Sequence, residues 1–257
     1  MLHTTILVSL ALGALILWRY IYPYTCYSLA IPLALAIAIC TGIFVERIHR
    51  RKYWASYYLI ESSPLYRLVT GRTFSMTLAV VTGSVYAFSL SVFTALGGAF
   101  EMIMIFLNGI FAIILYPIAS SLIQRHATTC VAKHAIKRLL KLSCFTITAI
   151  IYTAILFNTK IPDYIDPTSL EATVDTASQQ VASQCTFINI TLKGAQEFTA
   201  TQWFFMIAST GFLESPMLKY ASWLVFLGYS SLALMGMSIL STELAVYSST
   251  RSKYPQD

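Results

Sequence analysis

The chain has 257 residues, 57% of them hydrophobic and only 11% charged, with a mean hydropathy of +0.68. These values lie outside the range of soluble globular domains and leave room for one helical bundle with no sizeable soluble domain. A net charge of +6 would suit nucleic acid if it formed one soluble patch, but here the positives flank long uncharged runs, which assigns them to membrane topology and anionic lipid and argues against nucleic acid.

Thirteen of the seventeen Lys and Arg residues lie in Arg47–Arg72, Arg125–Lys141 and Arg251 with Lys253. Between them run charge-free segments such as 73–100, 102–124 and 220–242. A hydrocarbon core about 30 Å thick takes roughly 20 apolar residues as a helix, and lipid tolerates few other backbone conformations. The expected fold is therefore all-α, a polytopic membrane bundle of about six spans with one short external segment. Residues 1–158 would hold spans one to five, 159–200 the external segment, and 201–257 the last span and tail. Basic residues favour the cytoplasmic side, so the N-terminus, both basic loops and the C-terminus are expected there.

The first span is expected at 3–18. Its apolar stretch is followed by Trp18, Arg19 and Tyr20 rather than a small-residue cleavage site, so it reads as an uncleaved span. Trp18, Tyr20, Tyr22, Tyr24 and Tyr27 then resemble an interfacial aromatic belt. In the second span, 26–45, Ala30, Ala34, Ala38 and Gly42 recur every four residues, a pattern that lets another helix approach closely. Arg50, Arg51 and Lys52 follow, placed to meet lipid headgroups.

The third and fourth spans are expected at 73–95 and 101–123, joined by a tight turn at Gly97-Gly98. Ala87, Ser91 and Ala95 make a second small-residue stripe. Asn108 is a polar group inside the fourth span, a candidate pathway residue or interhelical hydrogen bond, and Pro117 a candidate kink. Residues 125–141 read as a basic amphipathic helix on the lipid surface, with Lys133, Lys137 and Arg138 at the headgroups. His126, Cys130 and His134 share a helical face, but they lack a fourth ligand and have lysines and an arginine nearby, so no metal site is assigned.

After a fifth span at 142–158, Thr168 and Glu171 form a candidate capping box. Leu170, Val174, Ala177 and Val181 continue at helical spacing, and 186–192 alternates as an extended run would. Cys26 and Cys185 are the two cysteines expected outside, and hence the candidate disulfide. Asn189-Ile190-Thr191 is a glycosylation sequon. The uncharged run 198–213 is short for a span and reads as re-entrant or interfacial. The last span is expected at 221–246, with Glu243 near its cytoplasmic end as the second candidate pathway residue.

No hydrolase, nucleotide-binding or metalloprotease motif occurs, so neither an enzyme nor a cofactor is expected. The sequence favours a non-enzymatic subunit or scaffold of a membrane complex, its partners being anionic lipid and other subunits or copies of itself. The alternative is a homo-oligomeric ion channel or small-solute transporter.

Overall fold

The computed structural model describes residues 2–58, 60, 63, 71–125, 129–156, 162–166, 168–211 and 216–253. Among them the chain forms eight α-helices and one 3-10 turn, Cys26–Leu29, with no strand. The helices are α1 (Leu2–Ile21), α2 (Ala30–Tyr58), α3 (Arg72–Leu96), α4 (Ala99–Gln124), α5 (Thr129–Leu156), α6 (Leu170–Gln179), α7 (Thr186–Gly211) and α8 (Pro216–Lys253). Six are long and apolar enough to cross a bilayer, at His3–Ile21, Cys26–Ile48, Arg72–Leu96, Ala99–Gln124, His134–Leu156 and Leu227–Tyr247. The chain is an all-α, multi-pass membrane bundle.

Helix α8 is its axis. It packs against α1, α2, α3, α4, α5 and α7, and 67% of its span is buried against 22–39% for the others. Its Met237, Ile239 and Leu240 share a core with Val8 and Leu15 of α1, Ile39 of α2, Leu90 of α3 and Ile105 of α4. Close approach depends on small residues. A Cβ on Gly83 of α3 would lie 2.9 Å from the Cys40 Cα of α2, and one on Gly42 of α2 would lie 2.5 Å from the Glu243 Cγ of α8. The four-residue stripe on α2 is thus divided: Gly42 is filled from within the chain, whereas Ala30 and Ala34 are exposed.

Several boundaries differ from expectation. The fifth span begins at His134 rather than 142, as part of one helix from Thr129. Lys137 and Lys141 do not end it, because each meets a carboxylate: Lys137 Nζ is 2.5 Å from Glu243 Oε2, and Lys141 Nζ is 2.7 Å from Glu46 Oε2. The run 186–192 is helical rather than extended. Ile188, Leu192 and Ala195 are buried at helical spacing against Trp18, Val92 and Ala95, and this packing overrides the weak alternation. Residues 198–211 likewise belong to α7. The cap of α6 is Ser169, whose Oγ accepts from the Ala172 N–H at 3.2 Å; Thr168 is instead held by Asp166.

Trp18 is not in an aromatic belt. It is 3% exposed and donates its indole N–H to the Ser91 carbonyl at 3.0 Å, whereas Tyr20, Tyr24 and Tyr27 face outward. Arg19 donates to the carbonyls of Thr94 and Gly97, and its positive charge suits the C-terminal end of α3.

Candidate functional site

The spans leave two unlike ends, a basic end and a disulfide end. At the latter, Cys26 and Cys185 are bonded across 159 residues of sequence, tying the α6–α7 connection to the turn between α1 and α2. Ser183 Oγ donates to the Tyr22 carbonyl at 2.7 Å, and Gln184 N–H to the Pro23 carbonyl at 2.9 Å. Burial pushes the Tyr22 phenol above its ordinary value, with Arg19 opposing. Helices α6 and α7 are held in this way as a cap over the bundle.

Beneath the cap is a cavity of about 260 Å³. Its aromatic wall comprises Phe93, Tyr152, Tyr164, Trp203 and Tyr229, and its polar groups include Gln196, Thr199 and Ser230. Glu101 is the one acid among its described lining residues, which include no Lys, Arg or His. The chain sets these groups by ordinary local rules. Glu101 occupies the third position of α4, where its Oε2 accepts the Gly98 N–H at 2.7 Å and favours the positive end of the helix. Tyr152 stacks on Phe100 with centroids 5.5 Å apart and hydrogen-bonds Ser230. Tyr229 is met edge-on by Phe198 at 5.2 Å.

Tyr164 is brought over the cavity by the segment before α6. Buried Thr173 fixes that segment, its Oγ1 donating to the Asp166 carbonyl at 3.0 Å and accepting the Asp166 N–H at 2.9 Å. Burial pushes the Tyr164 phenol up to about 12, with the Glu101 carboxylate adding to the rise. Tyr164 is therefore neutral at physiological pH. Asp166 itself is half-buried, and the Thr168 hydroxyl and N–H hold its carboxyl below the usual range.

From the cavity a column of polar groups descends along one face of α5. Tyr152, Thr148, Lys141 and Lys137 are separated by four, seven and four residues, which keeps them within about 60° of one another over about 22 Å. Level with Thr148, fully buried Asn108 donates to Thr148 Oγ1 at 3.1 Å and to Ser238 Oγ at 2.7 Å. Among the described residues its Oδ1 has no partner, nor do the hydroxyls of Ser241 and Thr242 on the next turn of α8. One turn beyond this layer, Ala112 and Cys144 join an apolar cluster that continues through Leu140 and Ala245 alongside the ion pairs. The Lys141–Glu46 and Lys137–Glu243 pairs then stand one turn apart at the basic end.

The two candidate pathway residues, Asn108 and Glu243, thus lie in one column, with the Lys141–Glu46 pair at a level between them. Lys137, expected at the headgroups, is instead 8% exposed and turned inward to Glu243. Of the other headgroup candidates, Arg138 is exposed and Arg51 stands over the Phe74 ring at 4.6 Å. The side chains of Arg50, Lys52 and Lys133 lie outside the described residues, as does His126 of the metal pattern. Asn189 of the sequon sits in α7 with its Oδ1 buried. Sequence reasoning missed Glu101, Tyr152, Tyr164, Trp203 and Tyr229. For Tyr152 a signal existed, since it continues the Lys137, Lys141, Thr148 face; the others converge only in three dimensions. Compared with known proteins, the chain matches no family model, no curated protein and no solved structure.

Proposed function

We propose that this membrane protein is a carrier for a small polar solute, with its basic end in the cytoplasm and its disulfide end outside. The observation that supports it is the continuity of a capped cavity, a buried hydrogen-bonded layer and two ion pairs along a single face of α5. Ionisable groups inside a bundle are costly and mark solute or proton paths more often than they mark packing. The orientation rests on the basic loops, and an oxidising exterior suits the disulfide. The apolar packing of Ala112 and Cys144 between the Asn108 layer and the ion pairs supports a barrier between the two sides in this conformation, as a carrier requires.

A second reading, the subunit or scaffold, is favoured by α2. Its span is only 22% buried, and Ala30 and Ala34 lie exposed beside Leu33 and Ile37. Purified protein in liposomes distinguishes the two. The carrier reading expects protein-dependent flux of a small solute that falls in Asn108→Leu and Glu243→Gln. Folded protein that moves no cationic, anionic or neutral solute, but copurifies from native membranes with stoichiometric foreign subunits, would overturn it in favour of the scaffold.

A further inference from the structure

We propose that the capped cavity binds a small organic ammonium ion. This names the solute class for the carrier and rests on that reading for its physiological meaning. Three features of the cavity point to a cation with an apolar surface. The first is charge: Glu101 is the single acid in the described lining, no basic residue accompanies it, and only one of its oxygens is committed to the Gly98 N–H. Arg19 approaches the same turn from α1 and keeps its positive charge, but its guanidinium is directed to the carbonyls of Thr94 and Gly97 and does not line the cavity.

The second feature is the wall. Phe93, Tyr152, Tyr164, Trp203 and Tyr229 present five ring systems to a space beside one carboxylate. Aromatic faces attract ammonium groups, most strongly where water is excluded, and a carboxylate supplies the compensating charge. An inorganic cation would instead need several oxygens converging at short range, and a carboxylic or phosphate ligand would be repelled by Glu101. The third is size. At about 260 Å³ the cavity lies just below the usual range for drug-sized ligands, which suits a small amine rather than a lipid or peptide.

The test is calorimetric titration of the full-length protein in detergent with choline and with its neutral isostere 3,3-dimethylbutan-1-ol. Choline is expected to bind at least about tenfold more tightly than the isostere, since only it gains from the carboxylate and the ring faces. Glu101→Gln should weaken choline binding by about tenfold or more and leave the isostere unaffected. The substitution keeps an amide oxygen for the Gly98 N–H, so the α4 cap and the melting temperature should survive. Tyr229→Phe keeps a ring and should stay within about twofold, whereas Tyr229→Leu should lose about fivefold. Equal binding of choline and the isostere, an unchanged Glu101→Gln affinity, or no binding by folded protein would overturn the proposal. Choline binding without choline flux in liposomes would leave the site standing and remove the carrier reading. Flux of another solute without choline binding would do the reverse.

Discussion

The Lys137–Glu243 pair offers the sharpest check on the account of the basic end. The two groups are 2.5 Å apart, with side chains 10% and 22% exposed. Lys137 is three residues inside a span beginning at His134, and Glu243 four residues inside one ending at Tyr247. At 1.5 Å per residue these depths are about 4.5 and 6 Å from the span ends, so on the proposed orientation both groups would lie near the inner edge of the hydrocarbon if the span ends mark it. Breaking a fully buried pair from one side costs about 3–5 kcal/mol, because the survivor is left charged in a poor solvent. The stem of Lys137 is long enough to reach the interface from that depth, which lowers the figure for Glu243→Gln to about 2–3 kcal/mol. Lys137→Met strands the shorter carboxylate and should cost at least as much. Removing both charges together should return the protein to within about 1 kcal/mol of wild type. For a chain of this size each single variant should melt about 5–10 °C lower in detergent, and the double variant far less. A double variant whose loss equals the sum of the single losses would refute the pairing.

The glycines give a paired prediction. Gly83→Ala would push a methyl onto the α2 backbone at Cys40 and should cost about 1–3 kcal/mol in any background, read as a lower melting temperature. Gly42→Ala meets only the Glu243 side chain, so its comparable cost should largely vanish in a Glu243→Ala background. Opening the disulfide with Cys26→Ser and Cys185→Ser should remove about 2–5 kcal/mol of constraint, with hydrogen exchange rising chiefly in 168–196 and little in α8. Asn108→Leu separates glue from path. Interhelical hydrogen bonds in membranes average about 0.6 kcal/mol, so the melting temperature should move only a few degrees while flux falls severely if the column conducts.

Hydropathy made the six spans legible, because it asks only whether a segment could lie in lipid. It does not ask which face turns inward, and most departures from expectation come from that omission. Lys137 and Lys141 read as the end of a basic surface helix only while their partners are unknown. Glu46 and Glu243 lie on other helices, and the helical rise of α5 sets the lysines four residues apart to meet them. Read together, two lysines at i and i+4, then Thr148 and Tyr152 on the same face, were a signal that the face is wet or paired rather than lipid-exposed. The candidate disulfide was readable for a different reason: topology left only Cys26 and Cys185 on one side, and elimination needs no coordinates. The cavity had no such shortcut. Phe93, Glu101, Tyr152, Tyr164, Trp203 and Tyr229 come from five helices and one loop, and each has an ordinary local reason for its place. Glu101 caps a helix, Tyr152 stacks on Phe100, and Tyr164 follows a segment clipped by Thr173. What brings them together is the disulfide-tied segment, which adds Tyr164 and Trp203 to a partly open cavity walled otherwise by the bundle, so the bond that elimination could find in the sequence helps to hold the cavity that it could not.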